Sequence, residues 1–150
     1  MKANRKTLVL LLSLTMLAAS GFSATFAKDK DWNKELEKGY HELKMGNIDE
    51  SIKIFQGKVN KNPSSGKCHC ALGEALKKRG QHDAAKKEFL LATQVEPSFG
   101  EAFYHLGQCY EFDNQWQDAI NSYRRYKELA PEASNRQALE DRIAFCEGKL

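Results

Sequence analysis

Cys68, His69 and Cys70 stand in a row, and two further cysteines follow at 109 and 146. Thiolate and imidazole are ligands that zinc and copper favour, and thiols can also pair, so metal handling and thiol chemistry are the first functions to weigh. The spacing speaks against a metal centre built on this tripeptide. Ligands on one helix converge when three or four residues apart, whereas Cys68 and Cys70 are two apart, about 200° around a helix. No second Cys or His pair lies near them in sequence, and the haem-attachment spacing is missing. His69 therefore reads as a packing residue, and no metal or other cofactor is expected. The same angle keeps Cys68 from pairing with Cys70. A thiol- or metal-handling protein using Cys68, His69 and Cys70 stays as an alternative function.

Other catalytic chemistry finds little support. The sequence has no nucleophile motif and no glycine-rich phosphate loop. Ser64 and Ser65 suit a helix cap better than catalysis, and the carboxylates scatter as on ordinary helix surfaces. The chain is not expected to be an enzyme.

The elements that must position these side chains begin after a leader. Lys2, Arg5 and Lys6 make a basic start, Leu8 to Ala19 is a nearly unbroken apolar run, and Thr25, Phe26 and Ala27 suit a cleavable bond. Residues 1–27 thus read as a secretory signal peptide, which points to an exported and periplasmic protein. The alternative is an uncleaved membrane anchor, because residues 8–27 carry no charge and about 20 apolar residues span a bilayer. Ser20 stands where a lipidated cysteine would be needed, so lipid attachment is not expected. Removing the leader takes three of the 23 basic residues and leaves 20 against 20 acids. A neutral domain lacks the charge that phosphate backbones demand, so nucleic acid is not an expected partner. Lys77, Lys78, Arg79, Lys86 and Lys87 are interleaved with Glu74, Asp83 and Glu88 and read as solvated helix surface.

Beyond a short lead at 28–31, the chain repeats itself every 34 residues. Gly39, Gly73 and Gly107 keep that step, as do Pro63, Pro97 and Pro131, and Phe55, Phe89 and Tyr123. Ser51, Ala85 and Ala119 form another column, and Gly46, Gly80 and Asn114 another. Such a period belongs to stacked helix-turn-helix units, here 32–65, 66–99 and 100–133. In the third block Phe103, Leu106, Gly107 and Tyr110 recur at helical spacing, Asp113 to Gln115 interrupt, and Ala119, Ile120, Tyr123 and Tyr126 form a second stripe up to Pro131. The second block follows the same plan through Leu72, Gly73, Leu76, Ala85, Phe89 and Ala92. Small residues on facing helices let the two backbones approach while large ones fill the gaps beside them.

This pattern resembles the tetratricopeptide repeat over residues 32–133. The resemblance implies an all-α fold: a right-handed α-solenoid of three such repeats, closed by a C-terminal capping helix at 134–150. His69 stands where the second repeat would carry an aromatic residue. Glu35, Lys38 and Glu42 occupy apolar positions in the first, while Leu36, Gly39, Tyr40 and Leu43 restore the apolar spacing one residue away. A first helix rotated, or slipped by one residue, is one reading, and it suits a terminal unit with no predecessor.

Leu139, Ile143, Cys146 and Leu150 give the last segment one apolar stripe, with Arg136, Glu140, Asp141, Arg142 and Glu147 on its other face. It reads as a cap that seals the last repeat and meets water beyond. Cys109 falls on the inward face of the last repeat's first helix and Cys146 on the stripe that packs there. In an oxidising compartment these two are the leading disulfide; the alternative is two buried thiols.

In a stack of helix pairs the first helices line a concave groove, the natural binding surface. By the family resemblance, its positions are Asn33, Leu36, Tyr40, Leu43 and Lys44 in the first repeat. In the second they are Lys67, Cys70, Glu74, Lys77 and Lys78, and in the third Glu101, Tyr104, Gln108, Glu111 and Phe112. Rings at Tyr40, Tyr104 and Phe112 beside Lys77 and Lys78 suit a peptide or helix with apolar anchors and an acidic neighbour. The Lys and Asn that clamp the carboxylate of chaperone tails are replaced by Leu36 and Tyr40. The expected function is a non-enzymatic exported adaptor or scaffold for an envelope protein. A homo-oligomerisation module is a further alternative, and membrane contact is expected only if the leader stays attached.

Overall fold

The computed structural model describes residues 33–150, so the readings for the leader at 1–27 and the lead at 28–31 lie outside the described residues. Residues 38–150 form one compact unit. Among the described residues there are seven helices and no strand. Helix α1 covers 33–45. It is followed by α2 (Ile48–Lys61), α3 (Gly66–Lys78), α4 (His82–Val95), α5 (Gly100–Phe112), α6 (Trp116–Leu129) and α7 (Arg136–Glu147). None of these is long and apolar enough to cross a membrane.

The turns inside the repeats fall where the column of Gly46, Gly80 and Asn114 stands. Their φ values are 86°, 83° and 59°, the left-handed region that glycine enters freely and asparagine tolerates. Between repeats the chain is reset by Pro63, Pro97 and Pro131, each two residues beyond the end of a helix. Ser65 caps α3, its Oγ accepting the Cys68 N–H at 3.3 Å. The Gly66 N–H donates to Glu96 Oε2 at 3.0 Å, so the carboxylate that ends α4 also sits at the positive end of α3.

Close packing within each pair rests on one glycine and one ring. A methyl group at Gly73 would lie 2.7 Å from Phe89 Cε1, and one at Gly107 would lie 2.5 Å from Tyr123 Cε1. A methyl at Gly39 would strike the Phe55 ring in the same way. All three rings are fully buried. The first helix thus keeps the register of the others at Gly39, and the slip raised for it does not occur. Only the residue without a side chain can receive the ring, so Gly39 overrides the displaced apolar spacing around it.

Neighbouring helices pack in sequence order, with α3 also reaching α5. One core lies among α3, α4 and α5, built from Cys70, Ala85, Phe89, Ala92, Ala102, Leu106 and Cys109. A second lies among α6 and α7, where Ala119, Ile120, Tyr123 and Tyr126 meet Leu139, Ile143 and Cys146. Tyr110 packs against both. Leu150 departs from the stripe expected of the last helix: it lies past the helix end and is exposed.

The expected Cys109 to Cys146 bridge is not formed. All four cysteines are free and buried. The reason lies in the two cores: Cys109 belongs to the one that holds Phe89 and Ala92, while Cys146 belongs to the one that holds Tyr123 and Ile120. Each thiol fills a small apolar gap of its own, as a free cysteine readily does.

Candidate functional site

Residues 34 apart occupy equivalent places in successive helix pairs, so Tyr40, Glu74 and Gln108 descend one face from α1 to α3 to α5. The same step leads on to Arg142 of α7. These side chains meet. The Tyr40 hydroxyl donates to Glu74 Oε1 at 3.3 Å, and Lys77 Nζ donates to Gln108 Oε1 at 2.8 Å. His105 lies between, with Nδ1 3.3 Å from Gln108 Oε1 and Nε2 3.8 Å from Glu74 Oε1. At the far end Glu111 Oε2 accepts from Arg142 Nη1 and from the Tyr123 hydroxyl, both at 2.7 Å.

Partial burial sets the protonation of this face. Loss of hydration raises the Glu74 carboxyl above its ordinary value, with the Tyr40 hydrogen bond pulling the other way. It lowers the Lys77 ammonium, which neighbouring acidic groups partly restore. Burial, with the Lys77 charge beside it, brings His105 down to about 4, so its ring is neutral at pH 7. Burial also pushes all four thiols up, away from the thiolate that nucleophilic and exchange chemistry require.

A pocket of about 190 Å³ opens beside Lys77, where the end of α3 and the start of α4 face α5 and α7. Lys77, His82, Lys86, Gln108, Cys109, Phe112, Asp113 and Arg142 line it. Phe112 is 66% exposed and stacks on His82, with ring centres 4.5 Å apart. Lys86 is tied to Asp113 at 2.6 Å and lies over the Tyr110 ring. Lys77 and Arg142 each have further N–H donors beyond the bonds to Gln108 and Glu111, and both belong to the pocket wall. The arrangement can accept an anionic group between two cations, with a ring beside it.

Of the positions expected to line the groove, the structure brings together Tyr40, Glu74, Lys77, Gln108 and Glu111, and puts Phe112 at the pocket mouth. Lys44, Lys67, Lys78 and Glu101 are exposed, and Leu43 is half-buried. Three expected groove residues are not free surface. Leu36 and Cys70 are buried, and Tyr104 packs its ring against Tyr126 and Tyr123 at 5.2 and 6.0 Å. Cys70 joins the core shared by α3, α4 and α5, while Tyr104 lies against α6 of its own repeat.

Two groups escaped the sequence reading. Arg142 was assigned to the solvated face of the cap, yet it turns inward to Glu111; the 34-residue step from Gln108 marks it. His105 matches no column, since Ala71 stands 34 residues before it, and no sequence signal marks it. The Cys68-His69-Cys70 tripeptide dissolves as a ligand set. His69 Nδ1 lies 2.7 Å from Glu88 Oε2 and Nε2 3.0 Å from the Pro63 carbonyl oxygen, so both ring nitrogens are turned to oxygen acceptors. Cys68 and Cys70 point to different sides of α3, only Cys70 joining the core shared with α5.

Comparison with known proteins agrees with this architecture. Family models described as tetratricopeptide repeat match residues 66–99 and 101–133. The small glutamine-rich tetratricopeptide repeat-containing protein 2 of Mycosarcoma maydis is 27% identical over 81 residues, which cover 54% of this chain and 23% of that protein. The chain thus spans about a quarter of that relative's length. Among solved structures, the first TPR of Spaghetti (RPAP3) bound to the HSP90 peptide SRMEEVD superposes with a TM-score of 0.70 at 19% identity, covering 78% of this chain and 90% of that one. The Yersinia enterocolitica type III secretion chaperone SycD, in complex with a peptide of the translocator YopD, gives 0.67 at 15% identity, covering 78% and 90%. With family models on two consecutive 34-residue units, and a ring seated on a glycine in each pair, the chain belongs to the tetratricopeptide repeat family.

Proposed function

We propose that this protein is an exported adaptor that holds an extended or helical segment of a protein partner on the face formed by α3, α5 and α7. The observation that carries this reading is the pocket in which Lys77 and Arg142 direct donors past Phe112. The segment places an acidic side chain or terminal carboxylate between the two cations and an apolar side chain against Phe112. A carboxylate beside Lys77 would restore the charge that burial disfavours. Both solved relatives named above carry a peptide, one of them acidic in sequence, which supports a peptide as occupant. Leu36 and Tyr40 replace the Lys and Asn of the chaperone-tail clamp, so the partner differs from a chaperone tail. Export rests on the basic start and apolar run of residues 1–27, and it makes an envelope protein the partner.

The test is photo-cross-linking in the intact envelope from a photoreactive residue at position 112, compared with one at Lys53 on α2. Lys53 is exposed and lies away from the pocket. A partner captured from 112 alone, and lost with Lys77→Glu, supports the reading. Capture from both positions alike, or insensitivity to Lys77→Glu, would sink it. A second copy of this chain captured at 112 would turn the adaptor into a self-assembling module.

A further inference from the structure

Cys70, Glu74 and His105 come together although no local motif links them. Their Sγ, carboxylate oxygen and imidazole nitrogen all lie within 4.8 Å of one another. Cys70 and Glu74 are one turn apart on α3, the spacing at which two side chains share a helix face, and His105 comes from α5. In a tetrahedral zinc site with bonds of about 2.0–2.3 Å, ligand atoms stand roughly 3.3–3.8 Å apart. The triad needs only a side-chain contraction of about an ångström to reach that span.

The surroundings orient the donors as a metal site requires. Lys77 Nζ can only donate, so its 2.8 Å contact makes Gln108 Oε1 an acceptor. The His105 nitrogen near that same oxygen, Nδ1 at 3.3 Å, must then carry the ring proton, which leaves the lone pair on Nε2. Nε2 is the nitrogen that faces Glu74. The Tyr40 hydroxyl holds the Glu74 carboxylate in turn. An imidazole fixed through its second nitrogen and a carboxylate held by a hydroxyl are the outer supports seen around protein zinc.

We propose that Cys70, Glu74 and His105 form a binding site for a divalent transition-metal cation, zinc foremost, that fastens α3 to α5. Sulfur, nitrogen and oxygen ligands together suit zinc better than magnesium or calcium, which take oxygen alone. On binding, the Cys70 sulfur–hydrogen bond breaks, the proton goes to solvent, and the sulfur electron pair forms the bond to the ion. One thiolate and one carboxylate balance the two positive charges, and a water takes the fourth position. The exposed Glu101 lies near enough to act electrostatically on Cys70 and Glu74 and favours a cation further, while Lys77 opposes it.

The test uses the reduced, metal-free protein titrated with Co2+ and read by absorption, then with Zn2+ in competition. A thiolate-to-cobalt charge-transfer band with tetrahedral visible bands is expected, one ion per chain. Cys70→Ser should abolish the charge-transfer band, and Gln108→Leu, which removes only an outer support, should weaken Zn2+ by about tenfold. Cys68→Ser and His69→Gln should leave both readings intact. Circular dichroism checks that each variant is helical, and Gln108→Leu keeps the test decisive if Cys70→Ser does not fold. Absence of the thiolate band in the unaltered protein, or its persistence in Cys70→Ser, would overturn the proposal.

Discussion

Arg142 of α7 donates to Glu111 of α5 at 2.7 Å across 31 residues of sequence, and its other contact, at 3.4 Å, is the hydroxyl of Tyr123 on α6. One guanidinium thus joins the last helix to both members of the third repeat. It also makes the cap a wall of the pocket.

Replacing Arg142 by Leu keeps the aliphatic stem but strips Glu111 of its charged partner. Both side chains are partly exposed, so the expected loss is modest, about 1 kcal/mol in urea unfolding. The loss should vanish in a Glu111→Gln background if the pair is the cause, which a double-mutant cycle reads directly.

Gly73 tests the packing inside a repeat. Gly73→Ala sets a methyl into the Phe89 ring and should cost about 1–3 kcal/mol, despite alanine's better helix propensity. Pairing it with Phe89→Leu should recover part of that loss. A gain in stability from Gly73→Ala alone would refute the account of this contact.

His105 gives the fold a pH dependence with a definite sign. Its folded value is about 4 against 6.5 for an ordinary imidazole, so between these the unfolded chain binds a proton that the folded chain refuses. Stability from this group is full above pH 6.5 and falls as pH drops toward 4, by on the order of 3 kcal/mol at most. Glu74 acts oppositely. Its raised carboxyl favours the fold below pH 4.5 and loses that advantage as pH climbs through the folded value. Unfolding of the natural chain and of His105→Gln between pH 4 and 7 separates the two: the acid-side loss should be smaller in the variant.

Phe112 and Tyr104 should part company under mutation. Phe112 is largely exposed, so Phe112→Ala should change stability by no more than about 0.5 kcal/mol while weakening partner capture. Tyr104→Ala removes contacts to Tyr123 and Tyr126 and should cost about 3 kcal/mol, confounding any binding assay. Thermal unfolding of both variants checks this order.

The thiols should be silent in the folded protein. All four are buried, with values pushed up by burial, so alkylation should be slow under native conditions and complete in denaturant. Reductant should leave the melting temperature unchanged, since no bridge is formed. A drop in melting temperature on reduction would restore the Cys109 to Cys146 pairing.

The helix pairs were legible from residue type and period alone. A ring can seat only on a glycine, and a left-handed turn admits only Gly or Asn at low cost, so the columns at Gly73, Phe89 and Gly80 imply a hairpin wherever they recur. Those constraints act within about 20 residues, one hairpin at a time. The offset between hairpins is set instead by how whole helix faces fit together, a sum of many small contacts that no single spacing encodes. That offset turned Cys109 and Cys146 into different cores, buried Cys70 and drew Arg142 inward. It also set His105 beside Glu74, residues 31 apart that share no period, because their meeting depends on where α5 comes to rest on α3.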